Sequence, residues 1–138
     1  MTLRDLLIKH EGIKAKVYYD SVGVATIGVG RNLEDVGLSY DESMLLLDND
    51  IKRVLKECWQ AFPWFVELSE ARQGVVASMV FNLGLEGFKK FKRMIAAIEK
   101  EDWTEAACQM IDSHWAAQVK GRAVELAVLM KGDGEHVG

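Results

Sequence analysis

Apolar residues at the start of the chain recur at helical spacing, at Leu3, Leu6, Leu7 and on to His10, and Thr2 followed by Asp5 has the form of a capping box. This predicts a short first helix that ends near Glu11–Gly12, with Gly12 as its C-terminal stop. From Lys16 to Gly30 the pattern changes. Val17, Tyr18, Tyr19, Val24, Thr26, Ile27 and Val29 are strand formers, and Ser21, Val22 and Gly23 supply a turn between them. A β-hairpin of Lys16–Asp20 and Val24–Gly28 is the only clear sheet signal in the chain.

The remainder reads as helical. Ser39 with Glu42 forms a second capping box, opening a helix to about Trp59 that stops before Pro63. Its expected buried stripe is Leu47, Ile51, Val54, Leu55, Cys58 and Phe62, which makes Cys58 a core thiol. Ser69 caps a helix through Gln73–Asn82 whose apolar all-round character predicts a buried central element. Gly84 and Gly87 interrupt it, and a further helix follows from Phe88 to about Lys100. Asp102 with Glu105 opens a helix with Trp103, Ala106, Ala107, Met110, Ile111 and Trp115 on one face, leaving Cys108 on the polar side. A last helix runs from Gly121 to Met130 and ends at Gly132, with 133–138 as a loose tail. The fold class is therefore α+β, mainly α.

Composition narrows the function. At 138 residues and 49% hydrophobic, the chain fits one domain with its own core. The formal net charge of −4 argues against a general nucleic-acid binder. Cys58 and Cys108 are too few for a disulfide scaffold and point to synthesis in a reducing compartment. Arg4, Asp5 and Lys9 break up any signal-peptide core, and no uncharged stretch approaches the ~20 residues needed to span a bilayer. The expectation is a protein made in the cytoplasm without stable membrane insertion.

The hairpin carries the chemistry. A turn at Ser21–Gly23 pairs Asp20 with Val24 and Tyr18 with Thr26, so Asp20 and Thr26 project from one face as diagonal neighbours. Their separation of about 7–8 Å admits one water between a carboxylate and a hydroxyl. A one-residue slip would place them on opposite faces. Glu11 sits at the C-terminal end of the first helix, where the helix dipole favours a protonated carboxyl. A carboxylic acid and a carboxylate that activates water are what glycoside hydrolysis requires. Each residue alone has a plainer reading, as a solvated surface charge or an ordinary strand threonine; the set carries the signal.

Glu11-Gly12, Tyr18-Tyr19-Asp20 and Thr26-Ile27-Gly28-Val29-Gly30 together resemble the phage-type lysozymes, the endolysin muramidases of tailed phages. The resemblance continues through Met79-Val80-Phe81-Asn82-Leu83-Gly84, Gly87-Phe88, Asp102-Trp103-Thr104-Glu105-Ala106-Ala107, Trp115 and Gly121-Arg122-Ala123. It implies a two-lobed fold with a cleft between a small hairpin lobe (12–38) and a helical lobe (1–11 and 61–132), bridged by the helix over 39–60. It also implies Glu11 as general acid, Asp20 as base or electrostatic partner, and Thr26 as holder of the attacking water. The bond implied is the β-1,4 linkage between N-acetylmuramic acid and N-acetylglucosamine, cut with inversion. Asn82 matches a polar cleft position, Arg122 matches an arginine that pairs with the catalytic glutamate, and Arg31 completes the candidate substrate-binding set. An arginine beside Glu11 would oppose the helix-end effect on its carboxyl. The implied partner is bacterial peptidoglycan, reached after another protein permeabilises the membrane. The enzyme would act as a monomer with no cofactor, metal or nucleic acid.

Departures from the family pattern affect the surroundings of the triad. Arg31 stands where the family often has histidine, so any ion pair there has changed chemistry. The short stretch between Gly30 and Ser39 predicts that an extra strand is missing. Glu34, Asp35, Asp41, Glu42, Asp48 and Asp50 form a run with no intervening base, read as a solvated face, and the acidic chain should adhere to walls less than a basic relative.

Other constellations are weaker. Gly28-Val29-Gly30 lacks the third glycine of a dinucleotide fingerprint, and His10, His114 and His136 have no zinc-site spacing. Lys89, Lys90, Lys92 and Arg93 around Phe91 read as a solvated helix face, with contact to a wall polyanion as the minor reading. Trp59, Phe62, Trp64 and Phe65 read as core rather than as a sugar-stacking platform. The rival functions are a lytic transglycosylase, disfavoured by Asp20 and Thr26, and a non-catalytic glycan-binding or interaction domain, disfavoured by the intact triad.

Overall fold

The computed structural model describes residues 1–132; the expected tail over 133–138, with His136, lies outside the described residues. Helices α1 (Leu3–Glu11), α2 (Tyr40–Ala61), α3 (Glu70–Lys89), α4 (Lys92–Glu99), α5 (Trp103–Ile111), α6 (His114–Val119) and α7 (Gly121–Lys131) accompany one antiparallel sheet. The sheet has the order β1 (Lys14–Tyr19), β2 (Ala25–Gly28), β3 (Arg31–Asn32). The architecture is α+β and mainly α, as expected. It divides into two compact units, Met1–Leu47 and the chain from Asp48 onward, with the boundary inside α2.

In the first unit, Thr2 and Asp5 close a reciprocal capping box at the start of α1, and Gly12 ends the helix at φ 74° with its N–H bonded to the Ile8 carbonyl. The hairpin register is Tyr18 opposite Thr26 and Tyr19 opposite Ala25, the pairing expected from the turn. An irregularity between Lys14 and Tyr18 lets β1 start earlier than anticipated, with Lys14 opposite Gly28. The missing extra strand is corrected: β3 pairs Asn32 with Thr26 and Arg31 with Ile27. Two residues are too few to show alternation, and neither arginine nor asparagine is a strong strand former, so this pairing had no local signal.

The second unit contains the apolar core. Along α3, Arg72, Val75, Val76, Met79 and Val80 are buried at helical spacing. They meet Met94, Ala97 and Ile98 of α4, Ala106, Ala107 and Met110 of α5, Trp115 of α6, and Ala123, Ala127 and Met130 of α7. Val54, Cys58 and Phe62 close one side of this core, whereas Leu47 and Ile51 of the expected α2 stripe are exposed. Burial pushes the Cys58 thiol up to about 11, with the nearby Glu57 charge adding to it. Cys108 is exposed, as its helix face predicted.

Two helix boundaries differ from the sequence reading. Gly84 (φ 77°, ψ 161°) kinks α3 but the helix resumes to Lys89, so α4 begins at Lys92 rather than Phe88. The run from Trp103 to Trp115 is broken at Asp112, and Ser113 caps a separate α6 by accepting from the Ala116 N–H at 3.1 Å. Of the aromatic group at the end of α2, Phe62 and Phe65 are core and Trp64 stacks on Phe62 at 4.7 Å, while Trp59 is exposed.

Arg72 ties these helices together. Its Nε–H donates to the Met130 carbonyl at 2.7 Å and Nη2 to the Lys131 carbonyl at 2.9 Å, and the guanidinium lies 3.9 Å from the Trp103 ring centroid. The last carbonyls of α7, which no helical N–H can reach, thus receive charged donors inside the protein. Arg72→Leu removes those donors and the cation–π contact. It should lower the unfolding free energy by about 1–3 kcal/mol, read from urea denaturation followed by far-UV circular dichroism.

Candidate active site

The three residues singled out by the hairpin argument all lie in the first unit. Glu11 is the last residue of α1 and is exposed; its side chain lies against Gly30, on the loop between β2 and β3. Asp20 follows β1, and its backbone closes the turn through Asp20 N–H to the Val24 carbonyl and Gly23 N–H to the Asp20 carbonyl, both 3.0 Å. Its Oδ1 accepts from the N–H groups of Val22 (3.0 Å) and Val24 (2.9 Å), which fixes the carboxylate over the turn. Thr26 is buried in the middle of the sheet, and its hydroxyl donates to the Val24 carbonyl at 2.8 Å. Because Tyr18 faces Thr26 directly, strand alternation carries Asp20 to the face that bears Thr26.

These bonds define what each group has left to offer. The proton of Thr26 is committed to Val24, so the Thr26 oxygen acts toward a ligand only as an acceptor. The described bonds to the Asp20 side chain fall on Oδ1, leaving Oδ2 as an acceptor beside it. Two acceptors on one face suit a molecule that donates two hydrogen bonds.

Arg31 is held within the same unit. Its Nη1 donates to Glu42 at 2.8 Å and to the Gly37 carbonyl at 3.0 Å, while Nη2 completes a bidentate pair with the Glu42 carboxylate. Glu42 also accepts from the Ser39 N–H at 2.9 Å, so one carboxylate closes the α2 capping box and anchors the loop after β3. Glu42 therefore departs from the solvated-face reading of the acidic run, and Asp50 of the same run pairs with Arg53 at 3.2 Å. Asn32 organises the intervening turn by accepting from the N–H groups of Glu34 and Asp35.

Asn82 and Arg122 belong to the second unit, and both are exposed. The Asn82 Oδ1 accepts from Trp115 Nε1 at 2.8 Å, which orients its amide. Trp115 packs edge-on against Phe91, and Phe91 stacks nearly parallel to Phe88, with centroid separations of 6.3 Å for each pair. The sequence placed Trp115 on an apolar helix face and among the family-like positions; its link to Asn82 spans α3 and α6 and has no local signature. A groove of about 690 Å³ in this unit is lined by Phe91, Trp115, Lys90, Lys92 and Arg93, among others, and the three cations are exposed, as the solvated-face reading expected. Among the described residues no group of His, Cys, Asp and Glu gathers as metal ligands would, and no helix is long and apolar enough to cross a membrane.

A small antiparallel sheet carrying Asp20 and Thr26, a glutamate at the end of the preceding helix and a helical unit beyond it define a family. The model of the phage lysozyme family matches residues 8–131, and the chain belongs to that family. Among curated proteins it is 27% identical over 158 aligned positions to the pre-baseplate central spike protein Gp5 of Enterobacteria phage T4, covering 94% of this chain and 28% of that protein. It is 26% identical to a probable T4-type lysozyme of Dictyostelium discoideum, covering 88% of this chain and 89% of the relative. It is 29% identical to the SAR-endolysin of Escherichia phage Mu, covering 91% and 77% respectively. The chain thus spans little more than a quarter of the spike protein but most of the other two.

The Arg31 pair holds the Glu42 carboxyl down to about 2, first through the Arg31 hydrogen bond and then through the Ser39 bonds, from an ordinary 4.5. A carboxyl depressed on folding stabilises the fold above its unfolded pKa and loses that contribution as pH falls through the folded value. The melting-temperature difference between wild type and Glu42→Gln should therefore be constant near neutrality. It should shrink below about pH 4.5 and be lost only below about pH 2, as measured by thermal unfolding across that range.

Proposed function

We propose that this chain is a muramidase that hydrolyses the β-1,4 bond between N-acetylmuramic acid and N-acetylglucosamine in bacterial peptidoglycan, acting as a single domain. Glu11 is the general acid and delivers its proton to the glycosidic oxygen as the bond breaks. Asp20 and Thr26 hold the attacking water. The water donates one hydrogen to the Asp20 carboxylate and the other to the Thr26 oxygen, so its lone pairs face outward toward the anomeric carbon. Asp20 takes up the water's proton as the new C–O bond forms, and the sugar leaves with inverted configuration.

The observation that carries this reading is the commitment of the Thr26 proton to the Val24 carbonyl on a strand whose register sets Thr26 beside Asp20. A threonine free to donate could bind the water through the water's own lone pair, which would then be unavailable for attack. Family membership and the T4-type lysozyme and SAR-endolysin names among the relatives support the same reading. Asn82, oriented by Trp115, and Arg122 are the proposed contacts to the glycan, while Arg31 supports the loop that Glu11 lies against. Lys90, Lys92 and Arg93 along the groove supply local positive charge toward an anionic wall on a protein whose net charge is −4. The site of action in this reading is the cell wall, as the SAR-endolysin names among the relatives support.

Digestion of purified peptidoglycan, with mass analysis of the released muropeptides, tests the proposal. Wild type should yield reducing N-acetylmuramic ends, and Glu11→Gln should lower the rate by about 10²–10⁴-fold. Anhydro ends would identify a transglycosylase instead, and equal rates for the two proteins would remove Glu11 from the chemistry.

A further inference from the structure

Gly30 lies between β2 and β3 at φ 65°, in the left-handed region that glycine adopts freely. Backbone conformation alone does not distinguish it from Gly28, which ends β2 at φ 68°. Their surroundings differ. A Cβ built on Gly28 meets nothing within 4 Å, whereas one on Gly30 would stand 2.8 Å from Glu11 Oε2, 3.0 Å from Cδ and 3.1 Å from Cγ. The Glu11 side chain occupies the space that any other residue at position 30 would fill.

We infer that Gly30 is a positioning residue for the Glu11 carboxyl: its bare α-carbon is the surface against which the proton donor rests. The inference builds on the reading of Glu11 as the general acid. Glu11 is exposed at the end of a helix and its carboxyl terminates a flexible side chain. An added methyl at position 30 would therefore displace the carboxyl rather than unfold the sheet. The backbone beyond Gly30 is in turn secured, because Arg31 pairs with Ile27 in the ladder and with Glu42 through its guanidinium. The contact thus runs from a capped helix through an ion pair and a glycine to the acid. A general acid must sit within hydrogen-bond reach of the leaving oxygen, and a displacement of about 1 Å can lower the rate about 100-fold.

The test compares Gly30→Ala with Gly28→Ala, two substitutions that impose the same positive-φ strain, alongside Glu11→Gln. For each, kcat and KM are measured on peptidoglycan, and folding is followed by thermal unfolding. The expected result is that both alanine variants fold with similar melting temperatures. Gly30→Ala keeps KM and loses kcat by about 100-fold, while Gly28→Ala keeps a kcat near that of wild type. Equal kcat values for the two alanine variants would overturn the inference, as would failure of Gly30→Ala alone to fold, which would make the contact structural. The underlying reading fails separately: an active Glu11→Gln removes Glu11 as the acid, whereas an inactive Glu11→Gln with an active Gly30→Ala removes only the role of Gly30.

Discussion

The pairing of Tyr18 with Thr26 across the β1–β2 ladder is the constraint on which the candidate site rests. Strand side chains alternate with a period of two, so this one register decides whether Asp20 and Thr26 share a face or are separated by the sheet. The turn that enforces it is built from Asp20 itself, whose backbone closes the hairpin and whose Oδ1 caps the Val22 and Val24 N–H groups. Val24 then has two roles: its N–H binds the Asp20 carboxylate and its carbonyl accepts the Thr26 proton. One backbone residue thereby sets the remaining hydrogen-bonding capacity of both polar groups.

The third strand and the loop after it extend this constraint toward Glu11. Strand β3 holds the edge of the sheet, and the Arg31–Glu42 pair ties that edge to the first turn of α2. In the second unit the organising interaction is different. Arg72 is buried among apolar side chains and supplies the carbonyls at the end of α7 with charged donors, while alanines on α5 and α7 make the small faces of the core. The first unit is thus organised by hydrogen-bonded turns and one ion pair, and the second by close packing.

What could be read in advance follows from the range of each interaction. The capping residues Thr2, Ser39, Ser69 and Asp102 were legible because a cap and the N–H it binds lie within three residues of one another. The hairpin register was legible for the same reason, and it brought Asp20 and Thr26 with it. Strand β3 was not, because its stability comes from a partner strand rather than from its own two residues. The α5–α6 break was hidden by an apolar periodicity that runs on from Met110 to Trp115; Ser113 as a new cap was the available sign. Exposure of Leu47 and Ile51 shows periodicity naming a face without telling how much of it is covered. Gly30 was visible as part of a motif, but its contact with Glu11 joins two separate elements and has no local signature.

The central claim is that a water held by Asp20 and Thr26 attacks from the side opposite the departing sugar. Proton NMR of the first product formed from a defined glycan chain tests it most directly, because the anomeric signal appears before mutarotation scrambles it. The account predicts the α-anomer of the new reducing end as the initial product. An initial β-anomer would mean retention through a covalent or substrate-assisted intermediate, and would contradict the assignment of Asp20 and Thr26 as holders of the attacking water.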